Sequence, residues 1–257
     1  MIPSAHKFSR FSAASTHLTL SVILFAVLLA PLLLYWYPSA FFSASGGWQG
    51  LRLVAAVDIV LGPLLTFIIY NRQKSSRELI MDLSVVVVLQ LCALGWGIKT
   101  IYEQRPIAVV FLDNSFYTVP AAALSIQGID LDVLEEFGDS KPVYVYVQRP
   151  VAGEELERFT REVEQNRIPP HEQAWLYQPL PQNFATVIRS SVDVEEVLER
   201  YPEMKSDIEH LLNKTDSRLE DYYYLPLTSR YRNILLIFDA QGSLVETVSA
   251  PYKSGEL

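Results

Sequence analysis

The sequence predicts a membrane protein with a three-span α-helical N-terminal bundle and a C-terminal α+β extracytoplasmic domain with a mainly antiparallel sheet. Three long apolar runs within residues 1–102 indicate the bundle. In residues 103–257, short runs of β-branched and aromatic residues alternate with amphipathic segments, as is typical of an α+β domain. The charge divides at the same point, because the first part carries a net +4 and the second a net −12, which gives −8 overall.

The first predicted span covers residues 18–37. These twenty residues carry no charge and would form a helix of about 30 Å, which matches the hydrocarbon core of a bilayer. Tyr35, Trp36 and Tyr37 end the run with the aromatic residues that membrane interfaces favour. A cleaved signal peptide is the alternative, but its apolar region is normally only about 7–15 residues long. The length therefore favours a retained span.

The second and third predicted spans cover residues 51–70 and 79–101. The turn between them, residues 71–78, contains three Lys or Arg residues, and residues 1–16 contain two more. The connection between the first two spans has none. Because basic residues favour the cytoplasmic side, we expect a cytoplasmic amino terminus and an external domain from residue 103 onward.

The second span carries polar residues that a simple membrane anchor does not need. Arg52 and Asp58 are ionisable, and Gly62 with Pro63 should interrupt the helix. A charged group in hydrocarbon costs a few kcal/mol and usually faces a protein interior or a partner. Asp58 lies about 10 Å into the predicted span, too deep for its short side chain to reach the interface. Two alternatives remain: an intrachain pair with Arg52 or Lys99, or contact with another membrane helix.

Other membrane residues suggest that the three spans pack together. His17 and Asp82 both fall near the cytoplasmic face, where we expect an interhelical hydrogen bond between them. Gly95 and Gly97 offer a small-residue surface that allows close approach of a neighbouring helix.

The second span also contains a recognisable motif. It reads Trp-Gln-Gly-Leu at residues 48–51 and Val-Asp-x-Val-Leu-Gly-Pro-x-Leu-Thr at residues 57–66. This pattern resembles the signature of the TfpX/TfpZ family of type IV pilin accessory proteins, and the resemblance extends over roughly residues 48–120. It implies a bacterial inner-membrane protein with a periplasmic C-terminal domain. Its implied partners are a type IV pilin, major or minor, and the pilus assembly machinery. The candidate partner-binding or intramembrane functional residues are Trp48, Gly50, Arg52, Asp58, Gly62, Pro63 and Thr66.

The C-terminal domain is expected to combine a hairpin, further strands and several helices. Asp130 and Asp193 precede two of the helices as N-caps, the second in a capping-box pattern with Glu196. We expect residues from about 110 onward to fold without the membrane. The predicted strands are 107–111, 116–119, 143–147, 222–227, 234–238 and 243–248, and the longest predicted helix is 154–165.

Sequence patterns of enzymes and nucleic-acid-binding proteins are missing. There is no Gly-rich phosphate loop, no Gly-x-Ser-x-Gly elbow and no His-Glu-x-x-His motif. The one cysteine, Cys92, cannot form an intrachain disulfide, and the four histidines are scattered. An acidic domain would also repel the phosphates of a nucleic acid. We therefore expect a protein that is not an enzyme and has no cofactor, no metal and no nucleic-acid partner.

Two non-enzymatic functions remain open from the sequence. One is a pilin accessory protein or chaperone that assists pilin stability, pilus assembly or pilus dynamics. The other is a membrane-anchored extracytoplasmic ligand-binding receptor or sensor subunit. Because the predicted cytoplasmic segments are short, a receptor would have to signal through a separate membrane partner.

Overall fold

A computed structural model describes residues 9–37, 40–71 and 73–251, with Tyr35 described by its backbone only. Lys7 and Arg72, two of the basic residues behind the expected orientation, lie outside the described residues. The chain forms two compact units. One consists of Met1–Trp36 and Gly47–Tyr102, and the other of Tyr37–Gly46 and Glu103–Leu257.

The first unit contains three helices that are long and apolar enough to cross a membrane, as predicted. They are α1 (Arg10–Pro31), α2 (Gly47–Ile69) and α3 (Ser76–Glu103). Each begins before its predicted span, because polar residues at the edge of an apolar run continue the helix. At α1, for example, the Ser9 side chain accepts a hydrogen bond from the Ser12 N–H.

The Gly-Pro pair does not break α2. A π-helical turn, Ala56–Leu61, precedes it, and the Gly62 N–H donates to the carbonyl of Val57. Pro63 then starts a further α-helical segment that runs to Ile69. A widened turn thus accommodates the proline, which cannot donate a backbone hydrogen bond.

The second unit is built on a sheet of seven strands, β1 (Pro106–Leu112), β2 (Ser115–Pro120), β3 (Val143–Val147), β4 (Tyr177–Pro179), β5 (Tyr223–Thr228), β6 (Asn233–Phe238) and β7 (Leu244–Ala250). Their order in the sheet is β4-β3-β1-β2-β5-β6-β7. The β1–β3 and β2–β5 pairs are parallel and the other four are antiparallel, so the sheet is mainly antiparallel, as predicted.

Helices cover both faces of this sheet. The α-helices that follow residue 103 are α4 (Ala121–Ile126), α5 (Gly153–Glu164), α6 (Leu180–Val187), α7 (Val194–Arg200) and α8 (Lys205–Thr215). One face packs against α6 in a core that contains the rings of Phe111, Phe116, Phe184 and Phe238. The opposite face carries two further apolar cores, one of them closed by α7 and α8.

The segment that joins α1 and α2, Tyr37–Gly46, belongs to the second unit. More than fifty residues separate it in sequence from the rest of that unit, which begins at Glu103. Phe41 and Ala44 are 2% and 0% exposed within the core that contains α6. The Ala44 carbonyl accepts hydrogen bonds from the Tyr231 N–H at 3.2 Å and from Ser229 Oγ at 2.9 Å. Gly46 has a φ of +88°, and a Cβ there would lie 2.4 Å from the Tyr231 ring. The loop is therefore a structural part of the C-terminal unit.

This arrangement differs from the expected boundary between residues 102 and 103, which placed the whole loop in the membrane domain. Tyr37, expected at the membrane interface, is 2% exposed and packs edge-on against Phe42. The structure also bears on the expectation that residues from about 110 onward fold alone, because that fragment is missing parts of the C-terminal unit. Such a fragment would lack Phe41 and the first part of β1, which starts at Pro106.

The strands predicted from residue patterns are present, and Asp130 and Asp193 both act as N-caps, but Asp193 does not form the expected capping box with Glu196. Asp193 accepts hydrogen bonds from the N–H groups of Glu195 and Glu196, while the Glu196 side chain pairs with Arg200 at 2.8 Å. Prediction missed α4, β4 and α6. These are short, and Pro179 and Pro181 at the junction of β4 and α6 favour a loop when only local sequence is considered.

Candidate functional site

Asp58 lies at the middle of α2, in the π-helical turn. It follows the first residue of the helix by eleven positions, or about 16 Å along the helix axis. Its side chain is 6% exposed. π-helical turns inside α-helices occur frequently at functional sites.

Gln90 of α3 is hydrogen-bonded to the Asp58 carboxylate. Gly62 makes room for this contact, since a Cβ on Gly62 would lie 2.0 Å from the Gln90 Nε2 atom. The glycine expected to break the helix therefore has a different role. It lets a long amide side chain pass close to the α2 backbone and reach the carboxylate one turn away.

A second polar contact joins α1 to α2. His17 Nδ1 lies 2.5 Å from Thr66 Oγ1, and Thr66 is 3% exposed. His17 thus contacts Thr66, not Asp82 as expected, and it is also close enough to Asp58 to interact with it electrostatically. Ser21, one turn along α1 from His17, is 7% exposed.

These polar groups form the floor of a groove of about 580 Å³ within the membrane unit. Its walls come from α1 and α3. The lining residues are Ala13, Thr16, His17, Leu20, Ser21 and Leu24 of α1, Asp58, Thr66 and the adjoining Tyr70 of α2, and Leu79, Leu83, Val87, Gln90, Leu91 and Leu94 of α3. A mainly apolar groove with a few convergent polar groups has the usual composition of a binding site.

Comparison with known proteins gives a family but no structural relative. No family profile and no solved structure matches the chain. The chain is 39% identical over 95 residues to the fimbrial assembly protein, serogroups C1 and C2, of Dichelobacter nodosus. The matched segment covers 37% of this chain and 72% of that protein. The chain belongs to the fimbrial assembly protein family.

Two longer relatives match over the same length. Fimbrial assembly proteins of Dichelobacter nodosus serogroups I and E1 are 39% and 38% identical over 95 residues. The match covers 37% of each, so it spans just over a third of those two relatives and of this chain.

Four of the candidate residues are buried in α2, and two of these, Asp58 and Thr66, line the groove of this family member. Asp58, Gly62 and Thr66 recur every fourth residue and so share one face of α2, where they are buried together with Pro63. Asp58 is hydrogen-bonded to the Gln90 amide. It is not paired with Arg52 or Lys99, the two partners considered from the sequence.

The other candidates lie outside this cluster. Arg52 is exposed and Trp48 is 49% exposed. Gly50 allows close packing of α2 on α3, because a Cβ there would lie 3.1 Å from Ile101 Cγ1. Asp82 also has another partner, since its carboxylate pairs with Lys74 Nζ at 2.5 Å.

Sequence reasoning missed Gln90. A lone amide in the apolar run 79–101 was a usable signal, because a polar side chain in hydrocarbon requires a partner. Its match with Asp58 depends on the rotation of α3, which no local pattern defines.

Proposed function

We propose that this chain is an inner-membrane accessory protein of type IV pilus assembly, of the TfpX/TfpZ kind, that acts by contact with a pilin. The observation that carries the proposal is a groove with a buried carboxylate at its centre, in a member of the fimbrial assembly protein family. The resemblance implies a pilin with a long apolar amino-terminal helix in the same membrane and a globular head outside it. The bundle would contact that helix and the C-terminal unit would contact the head, without catalysis or a cofactor.

The proposed orientation has a cytoplasmic amino terminus and a periplasmic C-terminal unit. It is supported by Arg10 at the start of α1 and by Lys74 and Arg77 around the start of α3. Reporter fusions at residues 74 and 150 are expected to report opposite compartments, with residue 74 in the cytoplasm. A periplasmic signal at residue 74 would contradict this orientation.

Deleting the gene tests the proposal directly. We expect a lower pilin level, fewer surface pili or altered retraction, restored by the wild-type gene. If all three measurements stay unchanged, the pilus role is wrong. The receptor alternative would then gain weight, since the C-terminal unit has a cleft of about 510 Å³ lined in part by Tyr144, Phe238 and Glu246.

A further inference from the structure

We infer that the groove between α1 and α3 docks one transmembrane helix that presents a hydrogen-bond donor to Asp58 at mid-membrane depth. The inference rests on the proposed function in one respect, which is that the helix is the amino-terminal helix of the pilin. It adds which face of the bundle is used and what chemistry the partner must supply there.

The shape of the groove fits part of a helix. Its α1 wall runs from Ala13 to Leu24 and its α3 wall from Leu79 to Leu94. At 1.5 Å per residue these walls are about 17 and 22 Å long, more than half of a hydrocarbon core of about 30 Å. α1 packs closely along α2, whereas it approaches α3 closely at only a few points. The gap can therefore receive the ridge of side chains that one helix presents to another.

The floor of the groove identifies the chemistry of the occupant. The two oxygens of the Asp58 carboxyl group offer more hydrogen-bonding sites than the single amide of Gln90 can fill. No water is available in the bilayer core to satisfy the remaining sites of Asp58, so a donor from a partner is favoured. Hydroxyl, amide and ammonium groups would each serve.

A lipid acyl chain could fill the same volume but has no donor. It would leave Asp58 in hydrocarbon with its remaining acceptor sites unsatisfied, which is costly. A second copy of this chain is the other competitor. We commit to a pilin helix with a donor, and the experiment treats lipid and self-association as outcomes.

Site-specific photocrosslinking in cells tests where the partner lies. Leu20 of α1 and Leu91 of α3 line the groove and are 62% and 57% exposed. Val27 and Val88, on the same helices, are 63% and 58% exposed and do not line it. With a photoreactive residue at each position, we expect pilin adducts from the two leucine positions and at least fivefold less from the two valine positions.

Variants of Asp58 then test whether the partner helix donates a hydrogen bond to this carboxyl group. Asp58→Leu removes the acceptor, and we expect adducts at Leu91 to fall about tenfold, while Asp58→Asn keeps one acceptor oxygen and should lose less. Protein abundance is measured alongside. If Asp58→Leu does not accumulate, the comparison of Asp58→Asn with the native chain takes its place. Replacing polar residues of the pilin span one at a time by Leu should identify a position whose loss has the same effect.

The outcomes separate this inference from the proposed function. Pilin adducts that are equal at groove and control positions, or adducts with lipid or a second copy alone, would overturn the docking site even if gene deletion lowers piliation. An unchanged adduct yield in Asp58→Leu, at normal abundance, would overturn the role of the donor. If deletion has no effect on pilin or pili, the proposed function itself fails.

Discussion

Removing the Phe41 ring tests whether the α1–α2 loop is part of the C-terminal core. Phe41 is 2% exposed and packs in the core that contains Val109, Phe111 and Leu180. Truncating a buried Phe to Ala typically costs about 3–5 kcal/mol, from lost burial and from the cavity left behind. That is a large share of the roughly 5–15 kcal/mol by which native domains are stable.

The full chain in detergent can be examined by urea titration followed by brief proteolysis, with cleavage of the C-terminal unit as the signal. With a denaturant slope of about 2 kcal/mol per molar urea, Phe41→Ala should lower the midpoint by roughly 1.5–2.5 M. Ile126, 86% exposed at the end of α4, supplies the control. Ile126→Ala should change stability by less than about 0.5 kcal/mol. Equal midpoints for Phe41→Ala and the control would show that the loop does not complete this core.

The remaining predictions concern a helix contact and a buried histidine. Gly97→Ala should destabilise the detergent-solubilised bundle by about 1–3 kcal/mol, because the new Cβ would lie 2.8 Å from Val54 Cγ2. Gly95→Ala is the matched control, because a Cβ at Gly95 would meet no atom within 4 Å, and it should not destabilise the bundle. An equal loss of stability in the two variants would refute the Gly97–Val54 contact. The C-terminal unit should lose stability as the pH falls from 6.5 towards 4, because burial lowers the pKa of His171 to about 4. His171→Phe should flatten this dependence in unfolding titrations.

The sign of the pH effect follows from proton binding. Between pH 6.5 and 4 an unfolded chain protonates this histidine while the folded chain keeps His171 neutral. Acidification therefore favours unfolding, by at most about 1.4 kcal/mol per pH unit. Burial raises the pKa of the neighbouring Glu172, which acts in the opposite direction, so the variant must be compared with its parent. The exposed His210→Asn should behave like the parent; a parental slope in His171→Phe would contradict the assignment.

The sequence by itself determined the elements that depend on local pattern. Continuous apolar runs identified the three membrane helices, since only about twenty such residues can span hydrocarbon. Runs of β-branched, aromatic and other apolar residues, with turn residues beside them, identified strands such as β3 and β6.

Tertiary structure alone decided which partners those elements meet. Gln90 is thirty-two residues from Asp58 in sequence, and their hydrogen bond depends on the rotation and depth of α3. Phe41 enters a core formed by strands that follow it by more than sixty residues, so no local pattern distinguishes it from an exposed loop residue. The Phe41 contact is stabilised by burial, which is non-directional and depends on what packing brings together. Periodicity defines a face of a helix or strand, whereas the neighbour that covers the face is fixed only when the chain has folded.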